Sequence, residues 1–258
     1  MNATLPPPQI SIVIPAFNEA QRLPATLAAI AAYCHTRPQR FEVLIVDDGS
    51  TDATPRLPLP PSTPQLTWRI LAPVGHRGKG FCVRRGMTEA CGALRLFTDA
   101  DLSAPIAELE HLEAAVAAGA DIAIGSRRGK IAVRQPPLRK AAGRLFNRLV
   151  RFALGLPFAD TQCGFKLFTR AAAEAVFPRQ RIDSWGFDPE LLYLARRARL
   201  RVAEVPLAWS HAEGAKIHLL RDSARMFADV FVIRTAAWRS LYAPGAAPPK
   251  SPSTLRAR

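Results

Sequence analysis

Ile10-Ser11-Ile12-Val13-Ile14-Pro15, followed at once by Ala16-Phe17-Asn18-Glu19, decides how the chain is read. A short run dominated by β-branched apolar side chains makes a buried strand rather than a helix. The polar pair Asn18-Glu19 stands just past its end. Outward from this segment the same unit recurs. The Ala/Leu-rich stretch from Glu19 to Tyr33 predicts a helix, and Phe41 to Val46 a second buried strand, stopped by Asp47-Asp48-Gly49-Ser50. Pro55 to Pro64 holds five prolines and reads as a loop. Trp68 to Leu71 predicts a third strand, Lys79 to Cys91 a helix and Ala93 to Thr98 a fourth strand. Pro105 to Ala118 predicts a helix with Ser103 as its N-cap, and Asp121 to Gly125 a fifth strand. Strands alternating with helices imply an α/β fold, a mostly parallel central sheet flanked by helices on both faces. Ligands of such sheets bind at the carboxyl ends of the strands. Asn18-Glu19, Asp47-Asp48 and Asp99/Asp101 therefore share one rim.

The 258 residues, 48% hydrophobic and 22% charged, suffice for one large domain with a real core and exclude a disordered, collagenous or disulfide-stapled chain. Four cysteines without CxxC spacing are expected to be reduced and mostly buried. No apolar run is long enough to span a membrane, and Met1 to Pro8 has neither the charged nor the apolar part of a signal peptide. A cytoplasmic protein, soluble or peripheral at the inner face of the membrane, is expected. The net charge of +14 points to an anionic partner. It is lopsided: residues 1–130 carry 13 Lys and Arg against 12 Asp and Glu, residues 131–258 carry 22 against 9.

The basic half contains two amphipathic patterns. In Leu138–Leu154, Lys140, Arg144, Arg148 and Arg151 form one stripe and Leu145, Phe146, Leu149 and Phe152 the other. In Leu219–Tyr242, Arg221, Arg225 and Arg239 share a face, while Phe227, Val230, Phe231, Trp238 and Leu241 form an apolar one interrupted by Arg234. Such helices suit an anionic membrane surface; a solvated surface and a core-covering helix stay open as alternatives. The Pro-rich or polar ends, Met1–Gln9 and Ala243–Arg258, are expected to be disordered, leaving a domain over 10–242. Within it, 10–130 would carry the nucleotide and metal groups and 131–242 would face acceptor and membrane.

Asp99-Ala100-Asp101 puts two hard-oxygen ligands after a strand, a pattern for Mg²⁺ or Mn²⁺, although a lone pair equally suits a solvated turn. Asp47-Asp48 are adjacent charges that a cation or ligand hydroxyls would use, or an Asx-turn. Gly75-His76-Arg77-Gly78-Lys79-Gly80 opens a helix whose N–H groups suit a phosphate, and it is not a Walker A loop.

The order of these segments is what discriminates. Pro15-Ala16-Phe17-Asn18-Glu19, Asp47-Asp48-Gly49-Ser50-Thr51-Asp52, Gly78-Lys79-Gly80, Asp99-Ala100-Asp101-Leu102-Ser103 and Gly125-Ser126-Arg127 succeed one another as in the family 2 glycosyltransferases of the GT-A fold, which the chain closely resembles over about residues 9–240. Asp160-Thr161-Gln162-Cys163-Gly164-Phe165-Lys166-Leu167-Phe168 and Trp185-Gly186-Phe187-Asp188-Pro189-Glu190-Leu191 resemble the polyprenyl-phosphate branch, which uses dolichyl-type acceptors. The resemblance implies a nucleotide pocket lined by Pro15, Phe17, Asn18 and Glu19, with Glu19 and Asp48 near the ribose, Asp47 near the base, and Lys79 and Ala100 close to the nucleotide. It implies a divalent cation, Mg²⁺ or Mn²⁺, on Asp99 and Asp101. Arg127 and Arg139 would contact phosphates, and Gln162 and Gly186–Glu190 the sugar and acceptor, with Asp188 or Glu190 as base only if the acceptor were a hydroxyl. Ser103 stands where the mannose synthases of this branch commonly carry Gln, which favours UDP-glucose over GDP-mannose as donor.

The implied reaction moves a hexose from a nucleotide sugar to a polyprenyl phosphate with inversion. A family 2 enzyme with a soluble glycan, hydroxylated lipid or protein acceptor is the alternative. A sugar-nucleotide pyrophosphorylase would need a Gly-rich loop after the first strand. A nucleic-acid binder would leave the acidic rim unexplained, so no nucleic-acid partner is expected.

Overall fold

The fold is described from a computed structural model over residues 6–71, 75–127, 147–209 and 219–243, for the backbone alone from 219 to 227. Seven strands form one sheet: β1 (Ile10–Ala16), β2 (Phe41–Asp47), β3 (Leu66–Leu71), β4 (Leu94–Thr98), β5 (Ile122–Ser126), β6 (Phe165–Thr169) and β7 (Val202–Pro206). Their spatial order is β3-β2-β1-β4-β6-β5-β7. Only β6 runs antiparallel, between β4 and β5. All five predicted strands are present within a few residues of their expected ends; β6 and β7 were not expected. Every residue of β1 and β2 is buried, as continuous β-branched runs require in a sheet covered on both faces. Glu42, a charge inside this buried run, accepts a hydrogen bond from Ser11 Oγ at 2.5 Å.

Helices α1 (Leu23–His35) and α3 (Leu109–Ala117) cover one face of the sheet. The other is covered by α2 (Lys79–Glu89), α4 (147–154), α5 (Arg170–Val176), α6 (Phe187–Arg197) and α7 (Leu219–Trp238). Helix α1 starts four residues later than predicted. Pro24 sits in its first turn, where the missing N–H costs nothing, but its ring would clash with the carbonyl four residues upstream in a longer helix. Ser103 is not the cap of α3. That helix is preceded by a 3₁₀ turn, Ile106–Glu108, led by Pro105, and Ser103 bonds elsewhere.

Most of the apolar residues expected on one face of each amphipathic helix point outward, and a second apolar stripe meets the core. In α4, Val150 and Leu154 are buried while Leu149 and Phe152 point outward. In α7, Val230, Ile233 and Ala236 pack on the core, and Phe231, Trp238 and Leu241 are exposed. Arg234 is exposed on the same side as Phe231 and Trp238, and so interrupts the outward apolar face. Small and branched side chains at i, i+3 spacing fill the inner stripe, which leaves the aromatic residues outside. Lys140, Arg144, Leu145, Phe146 and Arg139, and the side chains of Arg221, Arg225 and Phe227, lie outside the described residues. Gln9, expected in a disordered end, is instead tied in: its N–H donates to Arg40 O at 2.9 Å and its carbonyl accepts from Leu94 N at 2.9 Å. Cys34, Cys82 and Cys163 are buried thiols and Cys91 is exposed, all unpaired.

Candidate active site

Register brings the carboxyl ends of β1 and β2 level, with Ala16 opposite Asp47. The loops that follow are tied together. Asn18, in the left-handed region at φ 54°, donates its N–H to Ser50 Oγ at 2.9 Å, and its Oδ1 accepts from Thr51 N at 2.8 Å. Glu19 N donates to Thr54 Oγ1 at 2.8 Å, and Ala20 N to Asp52 Oδ2 at 3.1 Å. Asp47 and Asp48 are buried, and hydrogen bonds offset their adjacency. Asp47 accepts from Gly49 N and Ser50 N, each at 3.2 Å. Asp48 accepts from Arg77 N at 2.7 Å and Gly78 N at 2.9 Å. His76 Nδ1 lies 2.8 Å from Asp48, and its ring packs on Phe17 with centroids 4.2 Å apart. Asp48 thus holds the basic loop against the mouth of the sheet and leaves a Phe17–His76 aromatic surface beside it. Pro15 is buried in β1, two residues before Phe17.

The turn after β4 carries the second acidic element. Asp99 and Asp101 are partly exposed, 28% and 24% of their side chains, and Ala100 between them is buried. Lys79 Nζ pairs with Asp99. Arg22, held by Glu19 through two bonds of 2.6 and 2.7 Å, reaches to 3.9 Å from Asp101. Ser103 donates both its N–H and its hydroxyl to Asp101 Oδ1 at 3.0 Å. Leu102 between them adopts φ 45°, an uncommon backbone state for a branched-chain residue that concentrates at functional turns. Gly164 abuts this turn, and a Cβ there would overlap the Asp99 carboxylate. Burial, the largest effect on Lys79, lowers its pKa, but Asp99, Asp188 and Asp101 outweigh it and leave the ammonium raised.

Beside this rim lies a layer of charge that is buried except at Arg127. Arg127, at the end of β5, makes a bidentate pair with Asp160 at 2.7 and 2.8 Å. Burial pushes the Asp160 carboxyl up, yet Arg127 holds it below the usual range. Gln162 N donates to the same Asp160 at 3.2 Å. Lys166 of β6 is fully buried, pairs with Asp188 of α6 and donates to Cys163 O at 2.6 Å. Burial raises the Asp188 pKa, with Lys166 and Lys79 opposing it. Glu190 does not face the rim. It is fully buried and accepts from Arg181 N at 3.0 Å, Ile182 N at 2.9 Å and Tyr242 Oη at 2.6 Å, which fixes the loop before α6.

Burial pushes the Glu190 carboxyl from 4.5 up to about 7 against those donors. The folded protein therefore binds more protons than the unfolded chain between those values, and stability falls as pH rises through that window. This one group accounts for at most about 3 kcal/mol of the fall. Urea unfolding at mildly acid and mildly alkaline pH should show the fall, and Glu190→Gln should flatten it; an equal slope in the variant would contradict the assignment.

The loop before α6 closes the site from the other side. Its Asp183 binds Arg77 at 3.0 Å and Arg84 at 2.7 Å, and Ser184 Oγ donates to Asp229 of α7 at 2.8 Å. Trp185, 48% exposed, lies with its ring 5.0 Å from Lys79 Nζ. Gly78, at φ 112°, lets this loop approach; a Cβ there would lie 2.5 Å from Asp183 O.

Residues 11–177 match the family described as Glycosyl transferase family 2. The chain belongs to this family. This family 2 glycosyltransferase is 35% identical to the dolichyl-phosphate beta-glucosyltransferase of Saccharomyces cerevisiae, over 90% of this chain and 76% of that one. It is 34% identical to the Homo sapiens protein of that name, over 91% and 78%. Among solved structures it resembles glucosyl-3-phosphoglycerate synthase from Mycobacterium tuberculosis. The complex of that enzyme with Mn²⁺, uridine-diphosphate-glucose and phosphoglyceric acid aligns at a TM-score of 0.63 and 19% identity, covering 88% of this chain and 79% of that one. The fold of the family 2 enzyme is therefore GT-A, as its motifs implied.

Sequence reasoning placed the rim of this family 2 enzyme but not its partners. Arg22, His76, Asp160, Lys166, Trp185 and Asp229 were given no role. His76, Asp160, Lys166 and Trp185 stood inside quoted motifs; for Lys166 a charge between apolar neighbours was the available signal.

Proposed function

We propose that the chain transfers glucose from UDP-glucose to a polyprenyl or dolichyl phosphate at the membrane surface, with inversion at the anomeric carbon. The observation that carries this reading is the match, over nine-tenths of the chain, to relatives named dolichyl-phosphate beta-glucosyltransferases, together with the Asp99/Asp101 pair at the open rim. The donor's diphosphate is the leaving group. Asp99 and Asp101 suit a divalent cation: both are hard-oxygen carboxylates partly exposed at the open rim, Lys79 lies against Asp99 as an ion pair, and Ser103 orients the Asp101 carboxylate. Among the described residues no cluster of three or more metal-binding side chains forms, which fits a cation completed by substrate phosphates. A divalent cation there supplies charge neutralisation on the diphosphate, Mg²⁺ or Mn²⁺ being equally suited. Mn²⁺ accompanies the nucleotide in the structural neighbour.

The chain's own groups do the rest. Phe17 and His76 offer a surface for the base. Lys79 sits where it can follow the charge on the phosphates. Arg127, with its side chain 41% exposed and its orientation set by Asp160, presents positive charge to a phosphate. The acceptor is already anionic, so it needs positioning rather than deprotonation. That agrees with the burial of Asp188 and Glu190, neither of which stands open to act as a base. No helix among the described residues is long and apolar enough to cross a membrane.

The test is incubation with labelled UDP-glucose, GDP-mannose and UDP-N-acetylglucosamine, each with polyprenyl phosphate and a divalent cation. A lipid-extractable product from UDP-glucose is expected; transfer from GDP-mannose alone, or to soluble acceptors alone, would contradict the reading. Gly164→Ala should crowd Asp99 and raise the cation concentration needed for half-maximal activity by about tenfold or more. An unchanged requirement would separate Asp99 from the cation.

A further inference from the structure

Helices α4 and α7 lie side by side and expose their largest apolar side chains. Phe152 is 90% exposed, Trp238 84% and Phe231 63%, with Leu149 also outward. Phe231, Arg234 and Trp238 follow one another at i, i+3 and i+7, so they share one face of α7. Between the helices and the end of α6 runs a cavity of about 620 Å³ lined by Phe152, Tyr193, Arg196, Arg197 and Arg234. It adjoins a smaller one of about 190 Å³ lined by Leu149, Val230, Phe231 and Arg234. Among the described residues no carboxylate lines either cavity. Arg196 is partly used: its Nη1 caps α4 by donating to Leu154 O at 3.3 Å and to Gly155 O. Arg197 and Arg234 form no ion pair or hydrogen bond with any described residue.

A single exposed aromatic needs no explanation, but several on adjacent helices around uncompensated arginines mark a binding surface. Its chemistry is specific. The arginines ask for an anion, and the guanidinium fork suits a phosphate. The aromatic side chains protrude from helix faces, which suits insertion among acyl chains. Trp beside Arg is the pairing found at membrane interfaces.

We propose that this groove binds the headgroup phosphate of an anionic phospholipid, with Phe152, Phe231 and Trp238 inserted into the bilayer around it. The site is separate from the catalytic rim: Arg197 is nine residues along α6, about 14 Å at the rise of a helix, from Asp188, the residue of α6 that bears on Lys79 at the rim. Its purpose, to hold the enzyme where a lipid phosphate is presented, rests on the proposed acceptor. The site itself does not.

The experiment is vesicle cosedimentation of the full chain without donor or polyprenyl phosphate, so that failure to bind and failure to transfer are separate results. Vesicles of phosphatidylcholine alone are compared with an equal mixture of phosphatidylcholine and phosphatidylglycerol. Strong binding to the mixture and weak binding to the neutral vesicles is expected. Arg197→Gln/Arg234→Gln should weaken binding to the mixture about thirtyfold, from two lost headgroup charges. Phe152→Ser/Trp238→Ser should weaken it comparably, and both variants should keep the wild-type circular dichroism. Equal binding to both vesicle types, or undiminished binding by the arginine variant, would overturn the proposal. Inorganic phosphate that protects the wild type against heat while the vesicles fail to bind would assign the groove to free phosphate and overturn it too.

Discussion

Replacing Asp101 by Asn is expected to lower glucosyl transfer by about a thousandfold or more while the protein stays folded. The carboxylate's Oδ1 accepts from the Ser103 N–H and hydroxyl, both at 3.0 Å. An asparagine carbonyl can take both bonds, so the turn at Leu102 survives the change. What disappears is the negative charge that, with Asp99, suits a cation beside the diphosphate. Chelation with EDTA should reproduce the loss in the wild type and add nothing to the variant. Full activity in EDTA would remove the cation from the account, and an unfolded variant would show Asp101 to be structural. Unfolding by urea, measured beside the rate, distinguishes these results.

The second large effect is on stability. Lys166→Met should cost about 3–5 kcal/mol, because it leaves the buried Asp188 without its cation. Lys166 is fully buried, so the pair is not screened by water and its loss is not softened. At this chain length the midpoint of thermal unfolding should drop by roughly 10 °C. Lys166→Met/Asp188→Leu should recover most of the loss, since an apolar pair of similar volume can replace a buried ion pair at little cost. A single variant within about 1 kcal/mol of the wild type would show that Lys79, which also bears on Asp188, already balances it.

These two positions also show what was legible before any coordinates. The strand before Asp99 was read from the mostly apolar run Ala93–Thr98, and the position of Asp101 past its end placed that residue on the rim. Lys166 was not read as part of a strand. A lysine within an apolar run makes sense only with an acid brought from elsewhere, and Asp188 comes from a helix 22 residues away. Arg127 was assigned to a phosphate from its motif alone; the Asp160 that orients it, 33 residues on, leaves no trace in spacing. Ser103 was read as a helix cap because capping is the usual role of serine before a Pro-led helix. The neighbouring Asp101 competed for the same hydroxyl and won it. The amphipathic helices were found, but helices apolar on two sides do not declare which side meets the core. Packing decided that, by placing Val230, Ile233 and Ala236 inside and the aromatic residues out.

The most direct test of the central claim is the product made from UDP-glucose, with a divalent cation, from a short-chain polyprenyl phosphate, the corresponding alcohol and 3-phosphoglycerate offered separately. The account predicts a β-linked glucosyl phosphate from the lipid phosphate, identified by nuclear magnetic resonance, and no product from the other two. Glucose on the alcohol or on 3-phosphoglycerate with none on the lipid phosphate, or an α-linked product, would contradict it.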